Sequence, residues 1–203
     1  MKAIQKRSLQ TQKNILEAAE QLLRDNPYTE ITMPAVAKAA KVSIGGLYGR
    51  FISREALLEE VYSRYRQRRD HMIHQLLDSS DELNVDLFQR LMRVSELFVS
   101  LHMKDTGILR SFIIHHWLTD LSKPPQDIKQ EISFHLDRLT EYVIGSEVRL
   151  KKQKQRVFNV ISYMVSISKD QIVITPDSHE EFNSVNAQSL ITDITKMTVA
   201  LLN

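Results

Sequence analysis

The 203-residue sequence predicts an all-α protein. Apolar residues recur at three- and four-residue spacing through most of the chain, which is the pattern of amphipathic helices. Five prolines and five glycines interrupt this pattern, and three of the glycines lie close together in the first quarter of the chain. These observations predict a small helical N-terminal domain joined to a larger helical body.

The composition is that of an ordinary protein with a water-exposed surface, with 42% hydrophobic and 26% charged residues. Cysteine is absent, which excludes a disulfide framework and a thiolate metal site. No run of sequence approaches the roughly 20 apolar residues that a membrane-spanning helix needs. The N-terminus also lacks the apolar core of a signal peptide. We therefore expect a cytoplasmic protein with no membrane association.

Positive charge is concentrated in the first third of the chain. The first 70 residues hold 13 Lys and Arg against 8 Asp and Glu, a net charge of +5, whereas the remainder has a net charge of −3. A basic face is common on many domains, but it is also the electrostatic footprint of a nucleic-acid-binding domain. The asymmetry therefore supports a DNA-binding role without establishing it.

The N-terminal region predicts one helix before any recognisable motif. Residues 1–8 are polar and basic and have no apolar face, so we expect a mobile arm. A helix is predicted over residues 9–24, where the apolar residues form a single stripe. Pro27 ends it, because proline disfavours helix at the residue before it. Tyr28 and Ile31 are expected to pack back on the small domain.

Residues 32–54 predict two short helices joined by a tight turn. Thr32 is a good N-cap for the first helix, and Pro34 lies in its first turn, where the missing N–H costs little. Val42 follows the turn as an apolar plug, and Ser43 caps the second helix. This layout is a helix-turn-helix, the unit that places its second helix in a DNA major groove.

The second helix of this motif has an unusual composition. Gly45, Gly46 and Gly49 each lower helix stability by up to ~1 kcal/mol relative to alanine, so a helix selected for stability alone would lack them. Small residues allow close approach to another surface, while Tyr48 and Arg50 supply hydrogen-bond donors. The alternative is that the glycines serve a tight helix crossing within the chain, which we rank second.

At these residues the sequence resembles the DNA-binding domain of the TetR/AcrR family of transcriptional regulators. The resemblance covers residues 8–65 and extends to the rest of the chain only in length and helical pattern. Lys41 stands where the family usually has a turn glycine, and Pro34 replaces a residue that often reaches DNA. The residues that match the family pattern are Val42, Ser43, Gly45, Leu47, Tyr48, Phe51, Ser53, Glu55 and Leu57.

The motif and the resemblance together imply a set of DNA contacts. Small and apolar groups at the start of the second helix would approach base edges, and polar groups around it would contact phosphates. A homodimer would read a palindrome in double-stranded DNA, with half-sites ~34 Å apart or slightly more. The predicted DNA-binding residues are Thr32, Ser43, Ile44, Gly45, Gly46, Tyr48, Gly49, Arg50 and Arg54.

Beyond the motif, an uninterrupted helix is predicted over residues 54–77, and the resemblance implies that it joins the two domains. We predict an N-terminal three-helix DNA-binding domain at residues 1–53 and an effector-binding and dimerisation domain at residues 78–203. The body should contain helices over residues 84–103, 108–121, 126–145, 152–168 and 181–202. Residues 169–179 should form a loop with a short extended piece.

The last two predicted helices carry apolar seams. In the final helix these residues recur at 4-3-4-3 spacing, which suits helix pairing. The resemblance implies a four-helix dimer interface, and the alternative is that both seams face the core of one chain. The residues predicted to dimerise are Val157, Ile161, Met164, Ile191, Ile194, Thr198 and Leu201.

Aromatic and soft side chains recur on the helices of the body. They suit an apolar effector pocket with a few polar groups, although most aromatic residues at helical spacing belong to an ordinary core. The predicted effector-lining residues are Phe88, Met92, Phe98, His102, Phe112, His115, His116, Trp117, Phe134 and Tyr163.

We therefore expect a ligand-responsive dimeric transcriptional regulator, most simply a repressor, released from its operator by a small apolar or amphipathic effector. An enzyme is one rival, since His71 and His74 have a spacing that metal ligands use. No third ligand, phosphate loop or nucleophile elbow accompanies them, so we predict no catalytic site, no metal site and no cofactor. The other rival is a helical protein-interaction module without specific DNA binding.

Overall fold

The computed structural model describes residues 2–79, 85–118, 126–174 and 184–203, without the side chains of residues 2–6, 116–118, 126–129 and 184–185. Within these ranges the chain forms helices joined by short turns and contains no strand, which confirms the all-α fold class. The α-helices are α1 Lys2–Asp25, α2 Met33–Ala39, α3 Ile44–Tyr48, α4 Arg54–Leu77, α5 Leu87–Lys104, α6 Thr106–Leu118, α7 Gln126–Ile144, α8 Val148–Lys151, α9 Lys154–Lys169 and α10 Ser184–Leu202.

Two predictions about irregular segments are wrong. α1 begins at Lys2, so residues 2–8 are helical rather than a mobile arm. These residues lack an apolar face, but Lys, Ala, Gln and Arg are good helix formers and can extend a helix that packs further along the chain. The extended piece predicted after α9 is instead a π-helical turn, Asp170–Ile174. Its Ile172 and Val173 are buried, and the rest of that predicted loop lies outside the described residues.

The chain forms two compact units that differ from the predicted division of domains. The N-terminal unit contains residues Met1–Gln67 and Asp105–Asp120, and the C-terminal unit contains Arg68–Lys104 and Leu121–Asn203. α6 therefore packs with the N-terminal helices, although it follows α5 in the chain. This association depends on contacts between distant segments, which hydrophobic periodicity does not reveal. The predicted boundaries at residues 53 and 78 stay a prediction.

The N-terminal unit has one apolar core. It is formed by residues of α1, α2, α3, α4 and α6. The 3₁₀ turn Tyr28–Glu30, which lies between α1 and α2 in the chain, packs on α6. Ile31 is fully buried and Tyr28 packs against the core, as predicted. The core residues on these helices include Ile15, Leu23, Val36, Leu47, Leu58, Tyr62 and Ile108.

α6 approaches the backbone of α1 closely where α6 begins. A Cβ on Gly107 would lie 1.8 Å from the carbonyl oxygen of Leu23, so only glycine fits at this crossing. Just before it, Asp105 is fully buried, and its Oδ1 lies 3.3 Å from Nη2 of Arg24. Together these contacts anchor the start of α6 to the end of α1.

In the C-terminal unit, α5 packs against α7, α9 and α10. This arrangement buries six of the seven residues of the predicted dimer seam within a single chain, and their role in a dimer stays a prediction. A 4-3 apolar stripe fits any neighbouring helix, and here the neighbours of α10 are α5 and α9. Leu201 alone of the seven is exposed, at 40%. The buried six are Val157, Ile161, Met164, Ile191, Ile194 and Thr198.

Candidate nucleic-acid interface

The two helices on either side of the turn between α2 and α3 begin directly after the predicted capping residues. The Thr32 hydroxyl accepts a hydrogen bond from the Ala35 amide at 3.3 Å, and the Ser43 hydroxyl accepts one from the Gly46 amide at 3.0 Å. Both residues therefore cap their helices. Lys41 has φ 56°, the left-handed conformation that usually favours glycine. The backbone of this turn thus follows the predicted path despite its lysine.

One face of α3 is anchored in the core of the N-terminal unit. Leu47 is fully buried, and Phe51, which follows the helix, is also buried. Val42 packs partly beneath the turn, where its amide donates to the carbonyl of Ala37 at 3.0 Å. These contacts orient α3 and leave its opposite face outward.

The outward face of α3 is apolar and small rather than charged. Ile44 and Tyr48, one turn apart, are 45% and 48% exposed. Arg50 is exposed and donates through Nη1 to the carbonyl of Gly46 at 2.9 Å, so its side chain lies back along the helix. The surface therefore combines two large apolar groups with one guanidinium.

The α3 glycines do not serve a helix crossing. A Cβ on Gly45 would meet no atom of the described residues within 4 Å. At Gly46 the nearest neighbour would be the Ser43 hydroxyl at 3.1 Å, and at Gly49 the carbonyl of Gly45 at 3.3 Å, both within the same motif. The crossing alternative is therefore wrong for these three glycines and applies instead to Gly107.

Residues 15–61, which include this whole motif, match the family model described as bacterial regulatory proteins, tetR family. Residues 15–61 therefore form a TetR-family segment. This finding confirms the resemblance that the sequence motifs predicted.

Among curated proteins, the TetR-family segment is similar to the HTH-type transcriptional regulator UidR of Escherichia coli (strain K12). The two are 34% identical over 58 residues, which are 29% of this chain and 30% of UidR. The UidR sequences of Escherichia coli O157:H7 and Shigella flexneri match to the same extent. The match thus spans less than a third of the length of these relatives and is confined to one segment.

Solved structures extend the likeness of the fold to nearly the whole chain. A TetR-like transcriptional regulator from Rhodococcus sp. RHA1 aligns with a TM-score of 0.60 and 16% identity, covering 94% of this chain and 96% of that one. The dihydroxyacetone kinase operon activator DhaS aligns with a TM-score of 0.52 and 16% identity, covering 95% and 96%. At this identity the alignments show a shared fold alone.

Arg54, predicted to contact a phosphate, is engaged within the TetR-family domain. Its guanidinium lies 4.1 Å from the centre of the Tyr28 ring and donates to the Tyr28 carbonyl at 2.5 Å. The Tyr28 hydroxyl in turn lies 3.1 Å from Nδ1 of the buried His115 on α6. These contacts join the start of α4, the 3₁₀ turn and α6. A phosphate contact by Arg54 stays a prediction.

The residues predicted to line an effector pocket are divided between the two compact units, and their role stays a prediction. Phe112 and His115 belong to the N-terminal unit, where Phe112 packs edge-on against Tyr62 with ring centres 4.8 Å apart. Phe98 and His102 are buried in the C-terminal unit, and Met92 is half-buried there. The side chains of His116 and Trp117 lie outside the described residues. The exposed members of the set are Phe88, Phe134 and Tyr163.

His102, one of the predicted effector-lining residues, is engaged within the C-terminal unit. Burial lowers the pKa of His102 to about 4, with a smaller contribution from the charge of Lys169. Its ring is therefore neutral at pH 7, and its Nδ1 lies 3.0 Å from the buried Ser168 hydroxyl. The ring contributes to the packing of α5 against α9, as aromatic rings at helical spacing commonly do.

No helix among the described residues is long and apolar enough to cross a membrane.

Proposed function

We propose that this chain is a DNA-binding transcriptional regulator in which α3 enters the major groove. The observation that carries the proposal is the outward face of α3, where Gly45 faces open space beside Ile44 and Tyr48. Glycine destabilises a helix, and at this position it fills no internal gap. An external surface that needs close backbone approach accounts for it, and a DNA groove is such a surface.

The side chains around α3 suggest how the contacts divide. Ile44 can touch a thymine methyl group, while Tyr48 and Arg50 can donate to phosphates or base edges. Thr32 and Ser43 are exposed at the starts of α2 and α3, within reach of a backbone that approaches these helix ends. Because α3 carries few long polar groups, much of the recognition would be apolar, water-mediated or shape-based.

We also propose that the regulator works as a homodimer on a palindromic operator, as helix-turn-helix readers commonly do. Because most of the predicted seam is buried within one chain, we propose that the dimer surface is formed by the outer faces of α9 and α10. Among the described side chains of these faces, the large apolar groups that remain exposed are Tyr163, Met197 and Leu201. Pairing these faces between two chains would remove them from water.

Regulation completes the proposal. A small apolar or amphipathic effector bound by the C-terminal unit would favour a conformation in which the two α3 helices no longer fit successive major grooves. α4 contributes residues to both units and would transmit the change. The outcome would be release of a repressor in the cytoplasm.

An interaction module remains the second candidate, because the outward surface of α3 is apolar and Ile52 nearby in sequence is 87% exposed. The salt dependence of binding separates the two functions. Binding to phosphates weakens steeply with salt through counterion release, whereas an apolar protein contact does not.

The direct test is the double variant Tyr48→Ala/Arg50→Ala, assayed against operator sequences selected from random DNA. We expect specific affinity to fall at least about 30-fold, because two contacts of roughly 1–3 kcal/mol each are lost. The control is Lys151→Ala/Lys152→Ala, an exposed pair outside α3, α9 and α10, which should bind as the wild type does. A sequence-specific complex that survives the first change would contradict the assignment of α3.

A further inference from the structure

Three potential metal ligands meet in the C-terminal unit, away from α3 in sequence. They are Asp70, in the second part of α4, and Glu131 and His135 on α7. One ligand atom from each residue lies within 4.8 Å of those from the other two. Side-chain movements of about 1 Å would bring all three to the ~2.1 Å bonds that Zn²⁺ makes with nitrogen and oxygen.

The helices that carry these residues favour their convergence. Glu131 and His135 are four residues apart, so they project from one face of α7. Nε2 of His135 lies 3.0 Å from Oδ1 of Asp70. Ligands at right angles around an ion with ~2.1 Å bonds are separated by about 3 Å, so this pair already has the spacing of neighbouring ligands.

The burial of His135 is a second, separate observation. His135 is only 6% exposed, and its Nδ1 has no hydrogen-bond partner among the described residues. A buried polar atom without a partner is costly, and such atoms are uncommon in native proteins. Nε2 faces Asp70 and would bind the ion, and ligation there would fix the tautomer that carries its proton on Nδ1.

Arg69 is the resident counter-cation of this cluster. Its Nη2 lies 2.9 Å from Oδ1 of Asp70 and also pairs with the carboxylate of Glu131. Arg138, on α7, is directed instead to His74, with Nη1 2.8 Å from Nε2 of that ring. A guanidinium supplies one positive charge to two carboxylates, whereas a divalent ion would neutralise both. Metal binding would therefore compete with Arg69.

We infer that Asp70, Glu131 and His135 form a binding site for a divalent transition-metal ion, which enters as the Arg69 side chain leaves. One imidazole and two carboxylates suit Zn²⁺ or Mn²⁺. Mg²⁺ is disfavoured, because it prefers an all-oxygen shell and retains several waters. Three protein ligands leave coordination positions for water or a small anion.

The site also supplies a second regulatory input, a consequence that rests on the proposed function. α4 carries Asp70 and begins at Arg54, directly after the helix-turn-helix. An ion that ties α4 to α7 would restrict the helix through which effector binding is proposed to reach α3. Operator affinity would then depend on the metal as well as on an organic effector.

The experiment is calorimetric titration of the metal-free 203-residue chain with Zn²⁺, with Mg²⁺ as comparison. We expect one Zn²⁺ per chain and no Mg²⁺. His135→Ala and the near-isosteric Glu131→Gln should each weaken Zn²⁺ binding at least tenfold, and circular dichroism reports whether each variant is folded. Arg69→Gln should bind Zn²⁺ at least as tightly as the wild type, because it removes the competing charge.

The matched control is His71→Ala, which removes an exposed histidine from the same helix as Asp70. It should leave Zn²⁺ binding unchanged, and an equal loss in His71→Ala and His135→Ala would overturn the site. Absence of binding in both the wild type and Arg69→Gln would also overturn it. If Zn²⁺ binds but operator affinity is unchanged, the regulatory consequence is wrong and the site stands. If no operator is found, the proposed function fails while calorimetry still decides the site.

Discussion

α3 and α10 are stabilised in opposite ways. α3 is five residues long, and Leu47 is its one buried residue, so its caps and the core around it determine its position. α10 is 19 residues long and buries a continuous stripe that includes Ala187, Ile191 and Ile194. The comparison shows that side chains on the outer face of α3 are free to serve recognition, whereas the inner stripe of α10 is committed to folding.

The same substitution in both helices tests this comparison most severely. Ile194→Ala should lower the free energy of unfolding by about 3 kcal/mol, because it removes a fully packed side chain and leaves a cavity. Ile44→Ala should change it by less than about 0.5 kcal/mol, since Ile44 is largely exposed. Chemical denaturation measures both values. Equal losses in the two variants would refute the contrast between the helices.

The outer face of α10 provides the next test. Met197→Ala/Leu201→Ala should raise the dissociation constant of the proposed dimer at least about tenfold. The double change removes two exposed apolar side chains that a second chain would bury in the dimer. Sedimentation velocity over a range of concentrations measures the effect. Lys151→Ala, at an exposed position outside α9 and α10, is the control. An unchanged dimer would exclude this face as the interface.

The smallest expected effect concerns the turn before α3. Lys41→Gly should raise the free energy of unfolding by about 0.5–1 kcal/mol, since glycine adopts φ 56° without strain. This net gain is smaller than the strain relieved, because glycine also increases the entropy of the unfolded chain. Lys38→Gly, within α2, should lower it by about 1 kcal/mol. Thermal denaturation compares the two lysines. A loss of stability at both positions would show that the left-handed turn is unstrained with lysine.

Local signals predicted the N-terminal motif well. Thr32 and Ser43 cap the helices that follow them, Val42 packs beneath the turn, and Asp105 separates α5 from α6 where a break was expected. Each of these features depends on the identity of a few neighbouring residues. Capping and turn chemistry act over three or four positions, so a single sequence contains the information.

Features that depend on distant contacts were missed or misassigned. The α10 stripe was correctly recognised as apolar, but its spacing does not say whether the facing helix belongs to the same chain. The association of α6 with α1 needs contacts across some 80 residues, as between Arg24 and Asp105. Glu131 and His135 show a visible four-residue spacing, but Asp70 joins them only because α4 and α7 fold together.

Gly107 has a consequence for comparing this chain with others of its fold. Because a hydrogen atom is all that fits against the Leu23 carbonyl, the residue type at this position reports the distance between two helix axes. A relative with alanine or a larger residue here must hold its sixth helix farther from its first. Such a relative is a poor template for the N-terminal unit, even where its helix-turn-helix aligns residue for residue.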